Sequence, residues 1–229
     1  MRLRETAMFN DVAVIFDIDG VLVDSYHAHF RSWQTLSAEA GFHHSEADFV
    51  SSFGRTSHEI LAELGRDWTP GQIAELVERK EAIYRRSIAE RFPVMPGALE
   101  LIDSLIAAGF RLAVGSSGPP ANVALSIEKL GRQGCFAAQV SGADVTRGKP
   151  DPEVFLLAAE RLGLSPRRCV VIEDASAGIA AANAARMVAI ALVSQGHTRS
   201  EYVDADLMVD RLEQLSPAGI RQWINDNRD

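Results

Sequence analysis

Short apolar runs recur along the chain and are separated by polar turns. Four of them lie at residues 12–16, 112–114, 169–172 and 188–193, and a weaker one lies near residues 137–140. The runs are rich in β-branched residues and do not alternate apolar with polar positions. This pattern is typical of strands in a parallel sheet that is covered on both faces. We therefore predict that these runs form the buried sheet of one domain.

Helical periodicity fills the intervals between the runs. The segment 97–109 carries an apolar stripe that stops at Gly109. The segment 151–163 predicts a helix with Asp151 as its N-cap, Pro152 as its first residue and Gly163 at its end. A last short strand and a helix are predicted within 201–215. Because strand and helix alternate from about residue 97 onward, the pattern predicts a doubly wound α/β domain.

Residues 26–92 differ from the rest of the chain. They contain several helical segments and no convincing strand, and they follow the first predicted strand directly. Such a stretch is typical of an inserted helical subdomain. We predict a catalytic core formed by residues 1–24 and 93–229 and a helical cap formed by residues 25–92.

Composition and charge narrow the classes of function. The 229 residues are 47% hydrophobic and 24% charged, which is ordinary for a globular protein. The formal net charge of −8 disfavours broad nucleic-acid binding. Two isolated cysteines predict neither a disulfide scaffold nor a zinc site. The N-terminal segment lacks an apolar signal core, and no run is long enough to span a membrane, so a cytoplasmic protein, as a monomer or a weak homodimer, is expected.

Polar residues follow the apolar runs at the point where each predicted strand ends. In open parallel sheets, ligands bind beyond the carboxyl ends of the strands, so we expect these groups to converge there. A lysine in the segment TRGKPDP, just before a predicted helix, is expected to join them. The groups are Asp17, Asp19 and Gly20 after the first run, Ser116 and Ser117 after the second, Glu173 and Asp174 after the third, and Lys149.

This inventory of acids, hydroxyl and ammonium suits phosphoryl transfer. Asp17 is placed to attack phosphorus and form an aspartyl-phosphate, and Asp19 to protonate the leaving oxygen and then deprotonate the attacking water. A carboxylate that approaches a phosphate dianion needs cations, which Mg²⁺ on acidic oxygens and Lys149 would provide. Ser116 would hold phosphate oxygens, and Gly20 would let the chain turn sharply. Each feature alone is more typical of a turn or a helix cap, and only their combination favours this chemistry.

With these residues in place, the sequence resembles the haloacid dehalogenase-like superfamily of phosphotransferases. DIDGVLVDS is similar to the family's first motif, LAVGSS to the second, GKPDPEVF to the third and VVIEDASAGIAAANAA to the fourth. The insert resembles the small helical cap of the β-phosphoglucomutase and phosphoglycolate phosphatase branch. The resemblance implies a Rossmann-like core and a Mg²⁺ ion held by the Asp17 side chain, the Asp19 backbone carbonyl and Asp174, with Glu173 nearby or bound through water.

Cap residues supply candidate contacts to substrate. The segment FGRTSHEIL resembles the specificity loop of that branch, which makes Arg55 and Thr56 candidates. Lys80 resembles a lysine that meets substrate in the mutases, and His29 matches a histidine that is frequent in the branch. Structural interpretations compete with these roles, because ERKE is more typical of a solvated helix face and a histidine at that position also suits packing at the hinge.

The resemblance also ranks the possible activities. The second aspartate, Asp19, argues against a dehalogenase or a phosphonate-cleaving relative, since both lack it. Mutases of the branch place an arginine two positions beyond Arg55, where this chain has Ser57. A Mg²⁺-dependent phosphatase acting on a small phosphorylated metabolite is therefore expected, with a β-phosphoglucomutase-type mutase as the alternative. A phospho-accepting receiver domain is a third possibility, although receivers lack an insert of this size.

Overall fold

The computed structural model describes residues 11–226. The N-terminal segment, in which the sequence predicts no signal core, lies mostly outside these residues. The first ten residues of the predicted core also lie outside. Six strands form one sheet: β1 (Ala13–Phe16), β2 (Arg111–Gly115), β3 (Phe136–Val140), β4 (Cys169–Glu173), β5 (Val188–Leu192) and β6 (Leu207–Val209). Every described pairing between them is parallel, and the strand order is β3-β2-β1-β4-β5-β6.

This order is that of a Rossmann-like doubly wound sheet. It confirms the predicted fold class and the strand positions of the five apolar runs. It also differs from the 2-1-3-4-5 order of receiver-type folds, which removes the receiver alternative. The direction in which the chain winds across the sheet reverses between β1 and β4, so the switch point lies between these two neighbouring strands.

Helices cover both faces of the sheet. The core helices are α5 (Ala98–Ala107), α6 (Pro120–Leu130), α7 (Glu153–Leu162), α8 (Ser176–Ala184) and α9 (Pro217–Asp226). Val14 and Phe16 of β1 pack into one apolar cluster with α5, α6 and α9, whereas Ala13 and Ile15 pack into a second cluster with α7 and α8. Burial on both faces explains why the central strand β1 is apolar at every position.

Two details of the predicted helices differ. Helix α7 begins at Glu153, one residue later than predicted, and Pro152 occupies the N-cap position. The Asp151 carboxylate still accepts a hydrogen bond from the Glu153 N–H at 3.0 Å. Pro152, which lies between these two residues, has no N–H to donate. The segment 201–215 does contain strand β6, but it ends in a short 3₁₀ turn at Leu212–Gln214, and the last helix begins only at Pro217.

Four helices lie between β1 and α5: α1 (Tyr26–Ala40), α2 (Glu46–Ser52), α3 (Ser57–Glu63) and α4 (Pro70–Ala89). They have an apolar cluster of their own, which includes Trp33, Leu36, Phe49 and Leu61. We call this helical segment the cap. Within the described residues, no helix is long and apolar enough to cross a membrane.

Candidate active site

The predicted site residues of the core converge at the carboxyl edge of the sheet. Asp17 follows β1, Ser116 follows β2, and Glu173 ends β4 with Asp174 directly after it. Strands β1 and β4 are neighbours on either side of the switch point, which is where doubly wound sheets bind ligands. Asp17 is held at the strand end by its N–H, which donates to the Ile172 carbonyl at 3.0 Å.

Lys149 joins the acids of two strands. Its Nζ donates to Asp17 Oδ1 at 2.8 Å and to Glu173 Oε1 at 2.6 Å. The side chain is 1% exposed, and burial alone would lower the pKa of its ammonium. The charges of Asp17 and Glu173 outweigh burial and raise the pKa of Lys149, so the lysine stays charged.

Three buried carboxylates lie together beside this lysine. Asp17, Glu173 and Asp174 each offer an oxygen, and these oxygens lie within 4.8 Å of one another. Burial, with the Glu173 and Asp19 charges added, raises the pKa of Asp17 to about 7 in spite of Lys149. Burial and the neighbouring acids raise the pKa of Asp174 well above its usual range. The cluster thus holds more negative charge than its protein partners neutralise.

The donor set fits Mg²⁺. Asp174 Oδ2 accepts a hydrogen bond from Ser194 at 2.7 Å, but its buried Oδ1 has no hydrogen-bond partner. Glu173 is oriented by the N–H groups of Asp174 and Ala175, each at 2.8 Å from Oε2. A group of hard oxygens with surplus negative charge and an unpartnered buried oxygen suits a small divalent cation. The Asp19 carboxylate lies outside this cluster, so only its backbone carbonyl remains as the ligand that the resemblance implies.

Gly20 is required by a close approach to Asp174. Its φ is +79°, and a Cβ there would lie 1.6 Å from Asp174 Oδ2. Any side chain would therefore displace the acid. The turn after β1 passes directly over the Asp174 carboxylate, and this close approach explains why a glycine is needed at position 20.

Asp19 turns away from the acid cluster toward the cap. Its Oδ1 accepts from the Tyr84 hydroxyl at 2.7 Å and lies 2.9 Å from His29 Nε2. Burial would raise the pKa of Asp19, but His29 and Tyr84 outweigh it and hold the pKa well below the usual range. The imidazole of His29 stacks on the Tyr84 ring at 3.7 Å. Asp19 is thus an ionised carboxylate in this arrangement.

Lys80 is a buried residue and not part of a solvated face. It is 3% exposed, and its Nζ lies 2.9 Å from His29 Nδ1 and 2.9 Å from Glu81 Oε1. An ammonium only donates, so His29 accepts at Nδ1 and donates from Nε2 to Asp19. The prediction of a solvated ERKE face is wrong at Lys80, because α1 and α4 pack against each other and enclose it.

The remaining predicted contacts already have protein partners. Ser116 Oγ accepts from the Gly118 N–H at 3.0 Å and lines the cavity at the strand ends. Ser117 Oγ donates to the Gly54 carbonyl at 2.6 Å and thereby joins core to cap. Arg55 pairs with Glu63 through two bonds of 2.8 and 2.5 Å.

Thr56 serves as the N-cap of α3. Its side chain accepts from the Glu59 N–H at 3.2 Å, and Glu59 Oε2 accepts from the Thr56 N–H at 3.2 Å, which together form a capping box. It does not line the cavity that contains Asp17. The helix start explains this threonine without a substrate.

The cap contributes residues that the sequence analysis missed. Glu81 and Tyr84 follow Lys80 on α4 and are both buried. Glu81 accepts from Ser57 at 2.6 Å, and from Asn122 of α6 at 2.7 Å. The available signal was helical spacing, since Tyr84 lies one turn after Lys80 on the same face.

A cavity lies between the two halves of the site. It is lined by Asp17 and Asp19 of the core and by cap residues that include His29 and Lys80. A buried lysine and three buried acids, one of them with an unpartnered oxygen, lie at the switch point beside this cavity and define the class of phosphate-ester hydrolases.

Comparison with known proteins places the chain within that class. Residues 12–186 match the model of the haloacid dehalogenase-like hydrolases. Hexitol phosphatase A of Escherichia coli (strain K12) is 33% identical over 204 residues, covering 88% of this chain and 92% of the relative. β-Phosphoglucomutase of Bacillus subtilis (strain 168) is 31% identical over 221 residues, covering 89% and 91%. The chain therefore belongs to the haloacid dehalogenase-like hydrolases.

A solved structure shows the same fold at full length. A mutant of CbbY from Rhodobacter sphaeroides, in complex with xylulose-1,5-bisphosphate, superposes with a TM-score of 0.82 and 27% identity. The match covers 91% of this chain and 98% of the other. The family predicted from the four motifs and the β-phosphoglucomutase branch predicted from the helical insert are thus confirmed.

Proposed function

We propose that this protein hydrolyses a small phosphate monoester of the sugar-phosphate type through an aspartyl-phosphate on Asp17, with Mg²⁺ as cofactor. One observation carries the proposal: Lys149 bridges Asp17 and Glu173 beside an Asp174 oxygen that has no partner. This is the charge arrangement that a nucleophilic carboxylate needs next to a phosphate dianion.

The first step is attack of an Asp17 oxygen on phosphorus, while the ester oxygen leaves. Lys149 donates to the same aspartate and stands where it offsets negative charge on the transferring group. Ser116 and the neighbouring N–H groups bind phosphate oxygens. Asp17, Asp174 and the Asp19 carbonyl would hold Mg²⁺, with Glu173 behind them, and the ion supplies positive charge against the phosphate.

Asp19 carries the proton in both steps. Its carboxylate is ionised before substrate binds, and the negative charge of the bound phosphate raises its pKa and favours uptake of a proton. That proton goes to the leaving alkoxide. The regenerated carboxylate then takes a proton from the water that attacks the phospho-Asp17, which releases phosphate, and Asp19 returns this proton to solvent to restore the free enzyme.

Hydrolysis is favoured over mutase activity by the cap. A mutase holds a bisphosphate intermediate in two orientations and therefore needs a second phosphate site. The position of the expected arginine is Ser57, and Arg55, the other candidate cation, is held by Glu63. The B. subtilis relative keeps the phosphosugar mutase as the second candidate function.

The proposal is tested with purified protein and a panel of sugar phosphates, phosphoglycolate and nucleotides, with Mg²⁺ or with EDTA. We expect phosphate release from a sugar monophosphate only with Mg²⁺. Asp17→Asn should abolish release, and Asp67→Asn, an exposed aspartate of the cap, is the control. Normal turnover by the Asp17 variant would refute the nucleophile, and isomerisation of β-glucose 1-phosphate without phosphate release would favour the mutase.

The partner in this proposal is a small phosphorylated metabolite. The absence of nucleic-acid and membrane partners, the cytoplasmic location and the monomer or weak dimer stay predictions.

A further inference from the structure

A buried carboxylate stands on the cap side of the active-site cavity, where no step of the proposed reaction uses it. Glu81 is 3% exposed and lines the same cavity as Asp17. Its Oε1 accepts from Ser57 at 2.6 Å and from Lys80 at 2.9 Å, and its Oε2 accepts from Asn122 at 2.7 Å. A carboxylate has about four acceptor sites, so one site on Oε2 remains for a further donor.

The cations near this carboxylate are already paired. Lys80 donates to Glu81 itself, and Arg55 is held by Glu63 through two bonds. Lys149 is bound by the acids at the strand ends. Among the cavity-lining residues that the structure describes, no lysine or arginine is left to bind a second phosphate.

Part of the cavity wall is apolar. Trp33, Phe49, Phe53 and Ile60 line the cavity with Glu81. Apolar walls with a few placed polar groups bind the neutral part of a small molecule and fix its orientation. A hydroxyl-bearing carbon chain suits such walls and offers the O–H donor that Oε2 can accept, whereas a phosphate offers only negative oxygens.

We propose that Glu81 determines substrate specificity: it accepts a hydrogen bond from a hydroxyl in the distal part of a sugar monophosphate and repels a second phosphate group. This rests on the proposed phosphatase function and narrows its substrate class to monophosphates with a neutral, hydroxylated distal end. Sugar bisphosphates are excluded from this substrate class, because their second phosphate group would meet the negative charge of Glu81 in a buried site.

The experiment measures kcat/KM with Mg²⁺ for fructose 1-phosphate, fructose 6-phosphate and fructose 1,6-bisphosphate, and compares each monophosphate with the bisphosphate. The wild type should prefer the better monophosphate by at least about tenfold. Glu81→Gln removes the charge while keeping the size, and it should reduce this preference by about tenfold or more. A ratio cancels any general loss of rate that comes from disturbing Lys80 and His29.

Glu75→Gln is the matched variant, because Glu75 is an exposed glutamate of the same helix and Glu81 stays charged. It should leave the preference within about twofold of the wild type, a change small against one factor of ten. A preference that Glu63→Gln abolishes and Glu81→Gln preserves would overturn the inference and assign the discrimination to the pairing of Arg55 with Glu63.

The wild-type measurement decides the matter even if the Glu81 variant does not fold. Equal hydrolysis of the monophosphates and the bisphosphate by the wild type would overturn the inference while leaving the phosphatase proposal intact. Absence of phosphate release from every ester would overturn the proposed function and this inference with it.

Discussion

Replacing Lys149 by methionine removes the only ammonium that contacts the acids at the strand ends among the described residues. The side chain is 1% exposed and makes two ion pairs, with Asp17 and with Glu173. Methionine has a similar length and suits a buried site. The variant therefore leaves three neighbouring buried carboxylates, including Asp174, without a cation from the protein.

The expected loss of stability is large but compatible with folding. Breaking a buried ion pair by removing one partner costs about 3–5 kcal/mol in the free energy of unfolding. Domains have roughly 5–15 kcal/mol of stability, so most of the variant should remain folded. Loss of the charge that faces the transferring phosphoryl group should lower kcat at least about 100-fold.

The loss should also depend on pH. The raised pKa of Lys149 keeps its contribution present throughout the neutral range, because that contribution is lost only as pH rises through the folded-state pKa. Burial already raises the pKa of Asp17 to about 7, and Lys149 opposes that rise. Without the lysine this pKa rises further, so the folded state keeps a proton that the unfolded state has released. Stability then falls with increasing pH, by about 1.4 kcal/mol per unit for each retained proton.

Urea denaturation in EDTA at pH 6.0, 7.0 and 8.5 measures how the free energy of unfolding of Lys149→Met and of the wild type depends on pH. Between pH 7.0 and 8.5, the destabilisation by Lys149→Met should grow by about 2 kcal/mol, which is one proton held over 1.5 units. Added Mg²⁺ should restore part of the loss at pH 8.5. Lys129→Met, an exposed lysine of α6, should change stability by less than about 0.5 kcal/mol. A destabilisation that is equal at all three pH values would refute the electrostatic account of this site.

Gly20→Ala should weaken Mg²⁺ binding and destabilise the protein, since the new Cβ would lie 1.6 Å from Asp174 Oδ2. Gly131 also has a positive φ but has open space around it, so Gly131→Ala should lower stability only. Calorimetric titration with Mg²⁺ measures the first effect and urea denaturation the second. Lys80 and His29 lower the pKa of Glu81 to about 2 against the effect of burial. The ionised carboxylate therefore stabilises the fold above the unfolded pKa of 4.5, and this contribution is lost as pH falls toward 2. Between pH 5.5 and 2.5, the free energy of unfolding measured in urea should fall by up to about 3 kcal/mol more in the wild type than in Glu81→Gln. Treatment with EDTA should abolish phosphate release and Mg²⁺ should restore it; direct titration should show weaker binding at pH 6 than at pH 8, because the ion must displace a proton from Asp17.

The core half of the site was predictable because strand ends are visible in the sequence. Each apolar run stops where polar residues begin, and a parallel sheet brings those points to one edge. The approach of Lys149 to Asp17 spans 132 positions in the chain, and the place of Lys149 before the helix that follows β3 was the signal for it. What local patterns did not predict was the start of α7, because a proline can occupy either the N-cap or the first turn.

The cap half was not predictable in the same way. Lys80 and Glu81 are charged neighbours on a helix, and such a pair is usually solvated. Their burial depends on His29 from α1, Ser57 from α3 and Asn122 from the core. No periodicity within α4 records those distant partners, so the sequence alone favoured the wrong environment.

The contacts between cap and core explain why chemistry and specificity separate in this protein. Groups that act on phosphorus are anchored at strand ends, whose positions are set by backbone pairing within one sheet. The cap side of the cavity is instead closed by hydrogen bonds between cap and core, from Asn122 to Glu81, from Ser117 to the Gly54 carbonyl and from the Gly148 N–H to Glu59. Because these bonds depend on how the cap seats on the core, substitutions on the cap can change which ester fits without moving Asp17 relative to Lys149. The charge at Glu81 should therefore be exchangeable while Asp17 and Lys149 keep their contact, and any general loss of rate would reach Asp19 through Lys80 and His29.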